Sequence, residues 1–94
     1  MTVKILIKRK VNDDIILDLT VLLKKLRSLT LNQSGYISGE TLKRIDRGNE
    51  CMVVSTWRSA EDWKAWVNNP QRIAIQAEID SLLGKETEYA IYEA

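Results

Sequence analysis

Residues 36–57 read YISGETLKRIDRGNECMVVSTW. Two strand-like runs, 36–45 (YISGETLKRI) and 50–57 (ECMVVSTW), flank Arg47-Gly48-Asn49, a tight-turn signal. Runs joined by so short a connection are expected to pair as an antiparallel hairpin. The rest of the fold is read outward from it.

Upstream, residues 3–10 (VKILIKRK) form a first strand. Val3, Ile5 and Ile7 alternate with Lys4, Leu6 and Lys8, close to a period of two. Leu6 interrupts the polar set, so the second face of this strand is expected to be partly covered. Asn12-Asp13-Asp14 reads as a helix start, because Asn or Asp caps free N–H groups and acids suit the positive end of the helix dipole. Ile15, Leu19, Leu22, Leu26 and Leu29 then recur at spacings of four and three, with Ile16 and Leu23 widening the stripe. Residues 32–35 are a loop.

Downstream, Ser59 caps a second helix, with Asp62 three residues on as a capping-box variant. Trp63, Trp66 and Val67 form its apolar edge. Asn69-Pro70 ends that helix, and Pro70 suits the first position of the next. Ile75, Ile79, Leu82 and Leu83 mark the third helix, and Gly84 closes it. Residues 86–93 (ETEYAIYE) read as the final strand.

The order is β-α-β-β-α-α-β, a single α+β domain over residues 1–94 on the ferredoxin-like plan. Four strands form one antiparallel sheet, and the helices cover one face. The other face carries apolar residues too. A homodimer packed sheet to sheet would cover it.

Composition removes several classes. With no histidine and one cysteine, the chain lacks the ligands for zinc, copper or iron–sulfur sites and the base of a Ser-His-Asp mechanism. Cys51 has no partner for a disulfide, which points to the cytoplasm. Fourteen Lys and Arg against thirteen Asp and Glu leave a net charge of +1, a poor footprint for nucleic acid. Apolar runs fall far short of the ~20 residues a membrane helix needs. The opening MTVKILIKRK is too short and too charged for a signal peptide.

Several residues invite two readings. Trp57 and Trp63 read as core, while Trp66 is balanced between core and ligand contact. Cys51 reads as a small buried hydrophobe rather than a nucleophile. Asp13 and Asp14 read as capping residues rather than a catalytic pair. The run Lys8-Arg9-Lys10 reads as a solvated strand end, the other reading being contact with an anionic ligand. Gly35 and Gly39 lack phosphate-loop spacing. Tyr36, Tyr89 and Tyr92 read as packed strand residues.

One set of motifs resembles a known family. Gly35-Tyr36-Ile37-Ser38-Gly39-Glu40, Val53-Val54-Ser55-Thr56-Trp57, Ser59-Ala60-Glu61-Asp62-Trp63, Trp66 and Asn69-Pro70 are similar to the antibiotic biosynthesis monooxygenase (ABM) family. The resemblance implies a ferredoxin-like dimer whose sheets together form an α/β barrel. It implies a ligand pocket between sheet and helices, with Trp66 in its wall. Some members are cofactor-free oxygenases of phenols and anthrones, and others degrade haem. The haem-degrading members carry an axial His near the position of Gln76, and this chain has none. Their first-strand Asn has no match near Ile7 and Lys8.

The resemblance thus implies a cofactor-independent monooxygenase acting on a small electron-rich aromatic. Trp66 and Asp62 are the expected catalytic residues, Asp62 standing where some members have Asn. Tyr36, Trp63, Arg72 and Gln76 are the expected substrate contacts, with Tyr36 or Arg72 holding an oxyanion. No metal or cofactor is expected. The alternatives are a non-catalytic dimeric binding module of the same fold and a haem protein with a non-His ligand such as Tyr.

Overall fold

The computed structural model describes residues 2–93. Strand β1 (Val3–Lys10) is followed by a short 3₁₀ turn (Asp13–Ile15) and helix α1 (Ile16–Thr30). The hairpin is β2 (Tyr36–Lys43) and β3 (Glu50–Trp57). Helices α2 (Ala60–Val67) and α3 (Pro70–Leu83) lead to β4 (Glu88–Glu93). The strands form one antiparallel sheet in the order β2-β3-β1-β4. The expected ferredoxin-like α+β fold is present.

Local chemistry explains most boundaries. The Ser59 hydroxyl accepts from the Asp62 N–H at 3.2 Å and donates to the Asp62 carboxylate at 3.0 Å, opening α2. Asn69 Oδ1 accepts from the N–H groups of Gln71 and Arg72, with Pro70 at the first turn of α3. Gly84 closes that helix in the left-handed region at φ 76°, which glycine adopts without Cβ strain.

Three boundaries differ from expectation. Asn12 makes no side-chain cap; the chain enters through a tighter turn in which the Ile15 N–H bonds the Asn12 carbonyl. The second strand ends at Lys43 rather than at residue 45. There Arg44 turns its guanidinium onto Asp46 (2.7 Å) and Glu50 (3.1 Å), closing the hairpin loop. The last strand starts at Glu88, because the Thr87 N–H bonds the Asp80 carboxylate instead of extending a ladder.

Register sets the two sheet faces. Val3, Ile5, Ile7 and Arg9 stand opposite Trp57, Ser55, Val53 and Cys51 on the helix-covered side. Val3, Ile5, Ile7, Trp57, Trp63 and Trp66 form the core, with Leu26 and Leu29 of α1 packed against it. The stripe of α1 faces inward as expected through Leu19, Leu26 and Leu29, but Ile16 is 48% exposed. The opposite sheet face carries Leu6, Met52, Val54 and Ala90, half-buried, beside exposed Leu42 and Tyr92.

The expectation that Lys8-Arg9-Lys10 is a solvated strand end fails at its middle residue. Lys8 and Lys10 are exposed, but Arg9 is only 3% exposed. It continues the inward alternation of Val3, Ile5 and Ile7, so the helices that cover those residues cover it too.

Candidate functional site

A cavity of about 260 Å³ lies between the sheet and the helices. Its floor is Ile7, Arg9, Val53, Cys51 and Tyr36, and its walls include Trp63, Trp66, Arg72 and Gln76. Exposed Thr20, Lys24 and Arg27 of α1 and exposed Thr41 of β2 also line it. They mark the mouth, between α1 and the β2 side of the sheet.

A β-bulge shapes the β2 wall. Tyr36 pairs with Trp57 and Ser38 with Thr56, so Ile37 is the extra residue. In a regular strand, residues three apart point to opposite faces. The extra residue puts Tyr36 and Gly39 on the same face, and the Tyr36 ring reaches over Gly39. A Cβ at Gly39 would sit 2.7 Å from the Tyr36 hydroxyl. Glycine leaves the room that the ring takes.

An aromatic chain runs from this wall through the core. Tyr36 meets Trp57 edge-on at 5.4 Å, and Trp57 meets Trp63 edge-on at 5.7 Å. Trp63 and Tyr89 are 5.8 Å apart, with Arg72 over both rings at about 5.5 Å. Arg72 also donates to the Tyr89 hydroxyl at 2.7 Å. The guanidinium is held by cation–π contacts and one hydrogen bond. Burial pushes the Tyr89 phenol up, with the charges of Arg72 and Arg9 opposing.

Helix α3 buries an unusual stripe. Its buried residues are Arg72, Gln76 and Ile79, two polar groups for one apolar. Gln76 Nε2 donates to the Asp80 carboxylate and to Thr87 Oγ1, both at 2.9 Å, and Thr87 Oγ1 donates to Asp80 at 2.7 Å. An ionised carboxylate only accepts, so Asp80 fixes which end of the amide faces it. That leaves Gln76 Oε1 buried with no hydrogen-bond partner among the described residues.

Arg9 is the second orphan. Its Nε is buried without a partner among the described residues. Burial lowers its pKa, while nearby Tyr89, Cys51 and Asp80 act the other way. Burial also pushes the Cys51 thiol up against the opposing charge of Arg9, which keeps it protonated at neutral pH. Arg9, Lys24, Arg27 and Arg72 all line the cavity, and no Asp or Glu does among the described residues.

Five of the six residues expected from the sequence meet here: Trp66, Trp63, Tyr36, Arg72 and Gln76. Asp62 does not. It is half-buried at the start of α2, bonded to Ser59 and packed on Gly35. Arg9, read from the sequence first as part of a solvated strand end and alternatively as a contact for an anionic ligand, lines the cavity as well. Among the described residues no three His, Cys, Asp or Glu side chains gather as metal ligands.

The sequence model of the antibiotic biosynthesis monooxygenase family matches residues 2–78. The chain belongs to this family. Solved ABM-like structures share the fold. SnoaB, a cofactor-independent oxygenase from Streptomyces nogalater, superposes with a TM-score of 0.85 at 13% identity, over 99% of this chain and 92% of its own. Rv0793 from Mycobacterium tuberculosis gives 0.86 at 18% identity, over 100% and 95%. A conserved protein from Methanosarcina mazei gives 0.89 at 19% identity, over 99% and 92%. At these identities the likeness establishes the ABM fold and not the reaction. No curated protein matches the chain.

Proposed function

We propose that this protein is a cofactor-independent monooxygenase that oxidises a small, electron-rich phenol with dioxygen. The observation that carries the reading is the aromatic-walled cavity, lined by Trp66, Trp63, Tyr36 and Arg72, in a chain of the ABM family. A cavity of about 150 Å³ takes a benzene ring, so 260 Å³ suits a substrate of one or two rings.

The chemistry needs no added electron source. The phenol loses its proton, and the phenolate passes electrons to dioxygen. A C–O bond forms at a ring carbon, and loss of water leaves a quinone: one phenol and one dioxygen give one quinone and one water. The phenol needs an acceptor before ionisation and a cation after it. Gln76 Oε1 offers the first and the Arg72 guanidinium the second. The cations around the cavity favour the phenolate, so its proton can leave to water. Asp62 has no part in this scheme, because its carboxylate is engaged by Ser59 outside the cavity lining.

Trp66 is 3% exposed and lines the cavity. Trp66→Phe keeps an aromatic ring and removes the indole N–H. Oxygen uptake with a panel of naphthols, anthrones and catechols, no cofactor added, is expected to fall by about a hundredfold in this variant, with circular dichroism unchanged. Uptake that ignores the substitution sinks the role of Trp66.

A second reading is a binding module of the same fold without turnover. One feature favours it: among the described residues no carboxylate lines the cavity to act as a base, and the chain has no histidine. Tight phenol binding with no oxygen uptake across the panel decides for it.

The half-apolar open sheet face supports a homodimer, packed sheet to sheet through Leu6, Met52 and Val54. Light scattering at micromolar concentration is expected to give twice the mass of one chain, and a monomer mass overturns the dimer. One unpaired cysteine fits a reducing compartment such as the cytoplasm.

A further inference from the structure

The four cations on one cavity contrast with a chain whose acids and bases nearly balance. Lys24 and Arg27 are exposed at the mouth, where solvent screens them. Arg9 is different: it is 97% buried by its 3% exposure, on the floor of the cavity, beside the apolar Ile7 and Val53. Among the described residues its Nε–H has no acceptor, and no carboxylate makes a salt bridge with it. Burying a charge without a partner is strongly unfavourable, and Arg9 continues the inward row of apolar Val3, Ile5 and Ile7. Asp80, the nearby acid on α3, already accepts from Gln76 and from Thr87 twice. An unpaired guanidinium lining a cavity lacks an anion, and its planar fork matches a planar carboxylate through two parallel hydrogen bonds, as it can a phosphate.

We propose that the substrate is a phenolic acid: an aromatic of one or two rings that carries, besides its reacting hydroxyl, an ionised carboxylate bound by Arg9. The proposal rests on the reading above only in taking this cavity as the ligand site. Neutral phenols then bind as truncated substrates. The two arginines divide the work, Arg9 anchoring the carboxylate and Arg72 facing the phenol oxygen. The basic mouth, with Lys24 and Arg27, draws the acid in.

The test is binding without turnover. Isothermal titration calorimetry of the full chain under anaerobic conditions compares the hydroxynaphthoates with naphthol, hydroxynaphthamide and naphthyl phosphate. The best hydroxynaphthoate is expected to bind about tenfold or more tighter than naphthol and the amide. Arg9→Gln is expected to erase that preference, so that acid, amide and naphthol bind the variant alike, with Arg9→Lys intermediate. Equal binding of acid and naphthol, no heat from any acid at millimolar concentration, or tighter binding of the phosphate overturns the proposal. A preference that survives Arg9→Gln overturns the role of Arg9. Should Arg9→Gln fail to fold, the wild-type panel and Arg9→Lys decide. Oxygen uptake is read separately: acid binding without uptake counts against the oxygenase and leaves the phenolic acid standing.

Discussion

Trp57→Ala is expected to lower the unfolding free energy by about 4 kcal/mol. The indole is fully buried, at 0% exposure, at the end of β3. It stands opposite Val3 of β1 and Tyr36 of β2, so it joins both neighbouring strands. Tyr36 and Trp63 pack against it edge-on, and its Nε1–H donates to Ser55 Oγ at 2.7 Å. Truncation leaves a large cavity, removes two aromatic contacts and strands a buried hydroxyl. A domain of this size has roughly 5–10 kcal/mol in hand, so much of its stability goes. Trp57→Phe keeps a ring and is expected to lose about 1–2 kcal/mol, chiefly through the Ser55 bond. Urea melts of both variants measure the difference. A Trp57→Ala loss under about 2 kcal/mol would mean that the surrounding rings collapse into the space, and the hub role would be wrong.

Gly35→Ala is expected to cost about 3 kcal/mol. Two effects add. Gly35 sits at φ 85°, where a residue with a Cβ pays roughly 1–2 kcal/mol. The added Cβ also collides with the Asp62 side chain. That side chain cannot move freely, because it is bonded to the Ser59 hydroxyl that caps α2, and overpacking of this kind typically costs 1–3 kcal/mol. Asn tolerates the left-handed region, so Gly35→Asn separates the effects. If the collision dominates, Asn is no better than Ala; if the backbone dominates, Asn recovers most of the loss. Because α2 carries Trp63 and Trp66, displacement of its first turn is also expected to weaken phenol binding. Thermal melts with matched calorimetry check both, and an Ala variant within about 1 kcal/mol of wild type would show that Asp62 yields easily.

The same contact explains why Asp62, which the resemblance implies to be catalytic, stands apart from the cavity. Its position one turn before Trp66 put it near the expected pocket. The spacing Ser59–Asp62 equally signalled a cap, and capping together with Gly35 turns the carboxylate away from the cavity. Trp66, Trp63, Tyr36, Arg72 and Gln76 were legible as cavity-lining residues through the family resemblance. Their partners, such as the Arg72–Tyr89 bond across 17 residues and the Gln76–Thr87 bond across 11, were not.

What the sequence determined by itself was the order and kind of the elements. The alternation of Val3, Ile5 and Ile7, the leucine stripe of α1, and the caps at Ser59, Asn69 and Gly84 are local signals, set by residues within a few positions of one another. The charge run at residues 8–10 looked like solvated surface by the same local logic. Only the tertiary structure decided that Arg9 is buried. Its environment comes from Cys51 across the sheet and from helices remote in sequence, closing over a face where no carboxylate among the described residues makes a salt bridge with it. Burial is a property of what packs on a residue, and a chain's neighbours in space are not written in its neighbours in sequence.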